Sequence, residues 1–156
     1  MRALVQRVAR AEVRVAGAVT GRIGAGMVVL LGAAAADGAR DVEWLAHRIA
    51  GLRVFADAEG RMNRDVRESG GAALVVPQFT LYGDARRGQR PDFTAAARPE
   101  QAEPLFEAFC VALGNRGVGV ERGVFRAHME VELVNDGPVT LLIESPGGPG
   151  AAAGET

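Results

Sequence analysis

The stretch RALVQRVARAEVRV, residues 2–15, decides the fold because its side chains alternate in character along most of its length. Alternation with a period of two, rich in β-branched residues, predicts a long β-strand. The next apolar stretch, GMVVLLG at residues 26–32, is continuous and bounded by glycines, which predicts a fully buried strand. Gly17 and Gly21 lie between the two stretches and predict a hairpin. The chain is therefore expected to begin with a sheet.

Two helices are expected farther along the chain. Asp37 and Asp41 are candidate caps for the first, whose apolar residues recur at helical spacing to about Leu52. Pro99 opens the second, whose expected apolar positions are Leu105, Phe106, Phe109, Val111 and Leu113. The other apolar segments predict strands at residues 53–55, 72–81, 118–120, 129–134 and 139–143. This order predicts an α/β fold, a single domain with a mixed, largely antiparallel sheet and two main helices.

Two segments are predicted to be irregular. Residues 82–93 are polar, rich in arginine and interrupted by glycine and proline, which predicts an exposed loop. Residues 146–156 consist mainly of glycine, alanine and proline without a pattern, which predicts a disordered tail. The folded domain is therefore expected to span residues 1–145.

The composition excludes several classes of protein. The chain has 156 residues, a net charge of −1 and one cysteine, which leaves no internal disulfide framework and no cysteine-rich zinc site. The longest apolar run, residues 27–31, is far shorter than the roughly 20 residues of a membrane span. A secretory signal is not expected either. A cytoplasmic enzyme or binding protein remains, and because all 18 basic residues are arginines, any anion site must use guanidinium groups.

The first candidate site is PQFTL at residues 77–81, at the end of the strand predicted for residues 72–81 and before the arginine-rich loop. On this predicted strand, Gln78 and Thr80 point to one face and Phe79 to the other. Thr80 could bind a substrate carbonyl or act as a nucleophile, although a nucleophilic threonine needs a base and none is near in sequence. The alternative is an ordinary pair of polar residues at a strand end.

The second candidate is NDGPVT at residues 135–140, between two predicted strands. Asn-Asp-Gly is a turn signal because asparagine and glycine tolerate positive φ. The bond before Pro138 can be cis at a cost of only about 0.5–1 kcal/mol. A tight hairpin is the simplest interpretation of this segment alone.

Taken together, these motifs resemble those of the D-aminoacyl-tRNA deacylase family. The similarity is carried by VPQFTLYGD at residues 76–84, RPDF at residues 90–93 and VNDGPVT at residues 134–140. It covers residues 1–145 collinearly and extends to residues 1–8, 52–55, 60–63 and 125–129. The resemblance implies a barrel-like, cytoplasmic homodimer without cofactor or metal. It implies hydrolysis of the ester between a D-amino acid and the terminal adenosine of tRNA, and of mischarged glycyl-tRNA.

The resemblance also implies roles for individual residues. Gln78, Phe79 and Thr80 are the expected catalytic segment, in which the N–H groups of Phe79 and Thr80 form an oxyanion hole and the substrate's own 2′-hydroxyl assists hydrolysis. Gly137 and Pro138 are expected to be joined by a cis bond and to exclude L side chains from the partner subunit's pocket. The expected substrate-binding residues are Pro77, Phe125, Met129 and Asn135, and Arg86, Arg87 and Arg90 are candidate contacts to tRNA phosphates.

The sequence departs from the family pattern at two positions. Pro77 stands where the family usually has serine, which leaves the stringency of L-rejection open. Arg126 stands where the family usually has glycine, and either contacts a tRNA phosphate or fills surface space. Two rival interpretations are a non-catalytic RNA-binding protein that kept the pocket, and a purely structural dimer module.

Overall fold

The computed structural model describes residues 1–147, which form eight strands, two α-helices and one short 3₁₀ helix. The strands β1 to β8 are, in chain order, Arg2–Val15, Ala18–Ile23, Gly26–Gly32, Phe55–Ala56, Met62–Arg64, Ala72–Pro77, Gly119–Arg122 and Glu130–Glu144. The helix α1 is Ala39–Ala50, the 3₁₀ helix is Phe79–Tyr82 and α2 is Pro99–Gly114.

The sheet is mixed and largely antiparallel, as predicted. The strand β1 is antiparallel to β2, β3 and β8, whereas β6 pairs in parallel with both β3 and β7. The outer strands β2 and β7 approach each other, since a Cβ added to Gly21 would lie 2.8 Å from the Arg122 carbonyl oxygen. The sheet is therefore nearly closed into a barrel, and this architecture with two main helices confirms the predicted fold class.

Two apolar clusters stabilise the sheet from its two sides. In β3, Met27 and Val29 belong to the cluster that contains the two helices, whereas Val28 belongs to the cluster inside the barrel. In β6, Val75 belongs to the cluster with the helices and Leu74 to the cluster inside the barrel. Burial on both faces explains why residues 26–32 are continuously apolar, because neither side of the strand meets water.

The two ends of the domain meet beside α1. The Met1 ammonium group lies 2.7 Å from Asp37 Oδ1 and donates a hydrogen bond to Ser145 Oγ. The Ser145 hydroxyl in turn donates to Asp41 Oδ1 at 2.6 Å. Of the two predicted caps, Asp37 forms no capping bond to α1, whereas Asp41 does. The N-cap is Gly38, whose N–H donates to Asp41 Oδ2 at 2.9 Å.

Three local predictions were wrong. The strand predicted for residues 72–81 ends at Pro77, and the chain turns into the 3₁₀ helix, so Gln78 and Thr80 do not continue a strand face. The predicted hairpin at residues 135–138 is instead a bulge within the single strand β8, because β1 pairs with β8 on both sides of it. In α2, Val111 is 54% exposed and lies outside the core.

The remaining predictions concern the tail and the surface. Most of the predicted tail, residues 148–156, lies outside the described residues, and the domain boundary at residue 145 stays a prediction. Residues 83–93 lie on the surface, as expected for an exposed loop, but Tyr82, where the loop was predicted to begin, is buried and ends the 3₁₀ helix. No helix within residues 1–147 has the length and apolar character needed to cross a bilayer.

Candidate functional site

A largely apolar pocket of about 640 Å³ opens where β3 and β6 end and α2 begins. Its wall is formed by residues from segments that are far apart in sequence: Met1, Leu31, Gly32, Ala33, Val76, Pro77, Gln78, Phe79, Phe93, Ala96, Ala97, Pro99, Ala102, Phe106, Phe125, Arg126, Ala127, His128, Met129 and Val131. Five of the nine predicted site residues line it: Pro77, Gln78, Phe79, Phe125 and Met129. The other four, Thr80, Asn135, Gly137 and Pro138, are not in its wall.

The end of β6 directs the predicted catalytic segment to the pocket mouth. Pro77 is the last paired residue of this strand, opposite Leu31 of β3. The Gln78 N–H then donates to the Leu31 carbonyl at 2.8 Å, which holds the chain against the end of β3. The amide group of Gln78 donates to the Thr80 hydroxyl oxygen. These contacts anchor the first turn of the 3₁₀ helix at the pocket.

The first N–H groups of this helix have no acceptor among residues 1–147. The Leu81 N–H donates to the Gln78 carbonyl at 3.3 Å and the Gly83 N–H to the Thr80 carbonyl at 2.9 Å. No such bond uses the N–H of Phe79 or Thr80. Unpaired donors are expected in the first turn of any helix. Phe79 lines the pocket, Thr80 follows it directly, and both residues are exposed.

Phe79 also contacts the arginine-rich loop. Its ring lies edge-on to Phe93, with 5.3 Å between ring centroids and an interplanar angle of 67°. Reciprocal backbone hydrogen bonds of 2.8 Å between Asp84 and Asp92 close the loop at its base. The loop that carries Arg86, Arg87 and Arg90 therefore begins and ends beside the pocket mouth.

The opposite wall is formed by the segment between β7 and β8. Phe125 packs against Phe106 of α2, with 6.2 Å between ring centroids. The Met129 sulfur accepts a hydrogen bond of 3.3 Å from the Val124 N–H. This sulfur contact closes the segment into a compact loop, so that Phe125 and Met129 face the same pocket.

The bulge in β8 contains Gly137 and Pro138, which are joined by a cis bond, as predicted. Residues 136–139 stand opposite the single residue Arg7, because Gln6 pairs with Thr140 and Val8 with Asn135. The Asn135 side chain stabilises the bulge by donating to Thr140 Oγ1 at 3.0 Å and by accepting from the Val139 N–H at 3.3 Å. Asn135 is thus placed as a structural support of the bulge.

Arg7 supports the bulge, a role that sequence reasoning missed. Its Nε donates to the Asp136 carbonyl at 3.0 Å, and its Nη1 donates to the Val54 carbonyl at 2.6 Å. The Arg7 side chain therefore joins the bulge to the segment before β4. No local signal reveals this role, because Arg7 and Asp136 lie 129 positions apart in the chain.

Among the described residues that line the pocket, only His128 has a side chain of the kind that commonly serves as a general acid or base. Cys110 and Tyr82 do not line the pocket. Burial raises the pKa of the Cys110 thiol to about 11, so this group stays protonated and inert inside α2. Burial also raises the pKa of Tyr82, and the nearby carboxylate of Asp37 acts in the same direction. Within residues 1–147, no cluster of three histidine, cysteine or acidic side chains is arranged to hold a metal ion.

Known proteins match this chain over nearly its whole length. The family model described as D-Tyr-tRNA(Tyr) deacylase matches residues 4–144. The D-aminoacyl-tRNA deacylase of Anaeromyxobacter dehalogenans (strain 2CP-C) is 63% identical over 145 residues, which cover 93% of this chain and 97% of that protein. The D-aminoacyl-tRNA deacylase of Thermus aquaticus is 57% identical over 150 residues, covering 96% and 99%.

Solved structures share the fold. A structure described as c-Myc DNA Unwinding Element Binding Protein has a TM-score of 0.88 and 39% identity, covering 94% of this chain and 99% of that one. A probable eukaryotic D-amino acid tRNA deacylase has a TM-score of 0.78 at 18% identity, covering 92% and 98%. Because the family model spans most of the chain and curated relatives exceed half identity, this chain belongs to the D-Tyr-tRNA(Tyr) deacylase family.

Proposed function

We propose that this chain removes D-amino acids and misattached glycine from tRNA and rejects L-aminoacyl-tRNA by a backbone filter. Family membership makes it a hydrolase of the ester bond in D-aminoacyl-tRNA. The observation that carries the proposal is that the N–H groups of Phe79, which lines the pocket, and of the adjacent Thr80 have no acceptor among residues 1–147.

Backbone donors account for catalysis without a side-chain base. When water attacks the ester carbonyl carbon, negative charge develops on the carbonyl oxygen. Preorganised N–H groups stabilise this charge, and removing one such donor typically costs about 10²–10³ in kcat. The C–O bond to the ribose then breaks, and the ribose oxygen takes up the proton that the attacking water loses, with the neighbouring 2′-hydroxyl assisting the transfer. The Thr80 hydroxyl accepts a hydrogen bond from Gln78 and is not needed as a nucleophile.

The chiral filter is proposed to act between two subunits. Gly137 and Pro138 are exposed and lie outside the pocket wall of their own chain. We therefore propose that the bulge enters the pocket of a second copy of the chain. Strand β8 also exposes Val131, Val134, Leu141 and Leu142. A homodimer formed through β8 would cover these residues and insert the bulge into the partner's pocket.

The steric filter also explains the proposed action on glycine. A filter made of backbone atoms excludes an L side chain because it occupies the space where that side chain would lie. Glycine has no side chain on either face of its Cα atom, so the filter cannot exclude it. Glycyl-tRNA is therefore proposed to be hydrolysed together with D-aminoacyl-tRNA. The remaining parts of the proposal are a cytoplasmic location and turnover without cofactor or metal.

The test measures deacylation of D-Tyr-tRNA, L-Tyr-tRNA and Gly-tRNA by the purified protein against a blank without enzyme. We expect hydrolysis of the D-tyrosyl and glycyl substrates and a blank rate for L-Tyr-tRNA. Dialysis against a chelator should leave the rates unchanged. A folded protein that binds D-Tyr-tRNA but does not accelerate its hydrolysis would instead support the RNA-binding alternative. Rapid hydrolysis of L-Tyr-tRNA would contradict the filter, for which Pro77 is the first residue to examine.

A further inference from the structure

Arg126 adopts a backbone conformation that an arginine rarely takes. Its φ is +65°, and only one other residue within 1–147 that is not glycine, Ala16, has positive φ. The Ala127 N–H donates to the Val124 carbonyl at 3.3 Å, so Arg126 is the third residue of a four-residue turn. A turn with positive φ only at this position is of type II, which favours glycine there. An L side chain in this region costs roughly 1–2 kcal/mol.

The strained turn brings a positive charge to the pocket. Arg126 lines the pocket and is exposed, and it has no hydrogen bond or ion pair from its guanidinium among residues 1–147. Of the side chains that line this pocket, only Arg126 is permanently charged, and none is acidic. The charge is therefore not used to stabilise the fold. Backbone strain that gives no structural contact in return suggests a role in binding.

The chemistry of the pocket indicates what the guanidinium binds. Arg126 follows Phe125 directly and precedes Met129 by three residues, and all three line the same wall. An apolar wall of this kind suits a nucleobase and ribose, whereas a planar guanidinium suits a phosphate with which it can form two parallel hydrogen bonds. The phosphate nearest to a bound terminal adenosine is the 5′-phosphate of that nucleotide.

We propose that Arg126 binds the 5′-phosphate of the 3′-terminal nucleotide and thereby holds the ester against the N–H groups of Phe79 and Thr80. This inference rests on the proposed function, because it assumes that the pocket receives the aminoacylated end of tRNA. Arg126 is a binding residue in this scheme and takes no part in the chemical step.

The first test compares ligands with and without the phosphate. Binding of adenosine and of adenosine 5′-monophosphate is measured by calorimetry for the wild type, Arg126→Gly and Arg126→Gln. We expect the wild type to bind the monophosphate about tenfold more tightly than adenosine, the effect of a charge-assisted hydrogen bond. Both variants should bind the two ligands equally. Arg126→Lys should keep part of the preference. Arg64→Gln is the matched control, because Arg64 is exposed and outside the pocket wall. This variant should keep the full preference for the monophosphate over adenosine.

The second test uses the D-tyrosyl esters of adenosine and of cytidylyl-(3′→5′)-adenosine as substrates. Arg126→Gly should lower kcat/KM about tenfold for the ester that contains the phosphodiester, and leave kcat/KM for the adenosine ester unchanged. Its resistance to thermal unfolding should be equal or higher, since glycine relieves the strained turn. An equal loss on both esters, or no loss on either, would overturn the proposal. If the wild type hydrolyses neither ester but prefers the monophosphate in calorimetry, Arg126 keeps its assigned role and the proposed activity fails.

Discussion

Thr80 has a hydroxyl that is reactive by type, but its proposed role belongs to its backbone N–H. Its hydroxyl oxygen accepts a hydrogen bond from the Gln78 amide, while its N–H has no acceptor among residues 1–147. Within residues 1–147, neither histidine forms a hydrogen bond with this hydroxyl. We therefore propose that the Thr80 N–H, and not the hydroxyl, binds the substrate.

Replacement of Thr80 by alanine tests this division of roles. Thr80→Ala removes the hydroxyl and keeps the N–H, so we expect kcat for D-Tyr-tRNA to fall by less than about tenfold, well below the 10²–10³ typical of a lost oxyanion donor. Single-turnover deacylation measures the effect, with Thr80→Ser as the control that retains the hydroxyl. An inactive Thr80→Ala protein that folds and binds tRNA, beside an active Thr80→Ser protein, would show that the hydroxyl itself is required.

Gly137 is a second residue at which small changes are expected to have large effects. It has a φ of +131°, and an added Cβ would lie 2.9 Å from the Val139 nitrogen and 3.0 Å from Arg7 Nη2. Gly137→Ala should therefore displace the bulge, decrease the free energy of unfolding by about 1–3 kcal/mol and lower the ratio of D to L hydrolysis.

The matched control for Gly137 is Gly88→Ala. Gly88 has a similar φ of +146°, but an added Cβ would meet nothing within 4 Å. This variant has the backbone strain without the collision, so its D to L ratio should equal that of the wild type. Chemical denaturation and paired deacylation assays on both variants provide the comparison. Equal ratios in Gly137→Ala and the wild type would remove Gly137 from the filter.

At the scale of elements, one ion pair distinguishes Arg86 from the other two arginines of the arginine-rich loop. Arg86 Nη2 lies 2.6 Å from Asp84 Oδ2, and the hydrogen bonds donated by Arg86 lower the pKa of Asp84 to about 2. The charge of Arg86 is therefore partly neutralised within the loop. Arg87 and Arg90 are exposed and have no ion pair among the residues described, so their charges remain available to a phosphate.

We therefore expect Arg87 and Arg90 to contribute more to tRNA affinity than Arg86 does. For the double variant Arg87→Gln, Arg90→Gln, the slope of log affinity against log salt should fall by about 1.4–1.8, since each neutralised phosphate contributes about 0.7–0.9. Arg86→Gln is the control and should change the slope less. Filter binding of uncharged tRNA over a range of salt concentrations measures these slopes. An unchanged slope in the double variant would exclude this loop from the tRNA interface.

At the scale of the whole molecule, Asp41 joins the two ends of the domain. Burial acts to raise its pKa, but hydrogen bonds from the Ser145 hydroxyl and the Gly38 N–H, together with the Met1 ammonium, hold the pKa below its usual value of 3.8. A carboxylate with a lowered pKa stabilises the fold above its unfolded pKa. This contribution is lost as the pH falls through the folded pKa.

Asp41→Asn should consequently make the protein less stable at pH 7 by about 1 kcal/mol, because hydrogen bonds to charged acceptors contribute more than those to neutral ones. The difference from the wild type should shrink as the pH falls below 3.8. Urea denaturation at pH 7 and pH 3 measures the change. Glu103→Gln, at an exposed carboxylate, is the control and should be neutral at both values. A stability difference between the wild type and Asp41→Asn that is larger at pH 3 than at pH 7 would contradict this account of Asp41.

The proposed dimer is tested at the same scale. Leu142 is 56% exposed on β8, so a charge at this position would oppose burial against a second copy while the monomer still folds. Leu142→Glu should halve the mass measured by light scattering and weaken discrimination against L-Tyr-tRNA, since the bulge of one subunit would no longer reach the other. A wild-type protein that is monomeric at assay concentrations would exclude a filter supplied by a partner.

Much of the fold and of the site could be predicted from the sequence because the relevant signals are local. Alternation marked β1, continuous apolar character marked β3, and helical spacing marked α1 and α2. The PQFTL and NDGPVT motifs identified the family, and five of the predicted site residues line the pocket. These properties depend on residues that are close together in sequence, so a local sequence pattern predicts them.

Contacts between distant segments were decided only by the tertiary structure. NDGPVT has the composition of a hairpin turn, yet β1 is long enough to pair with β8 on both sides of it, so the chain bulges and the strand resumes. The Gln78 N–H bonds to β3 and the next residues turn into a 3₁₀ helix, so the predicted strand to Leu81 did not form. Arg7 contacts the bulge 129 positions farther along the chain. Arg126 lies in one pocket wall with Leu31 and Pro77, which are also distant from it in sequence. Local periodicity carries no information on such pairings, because they depend on which surfaces are brought together when the sheet closes.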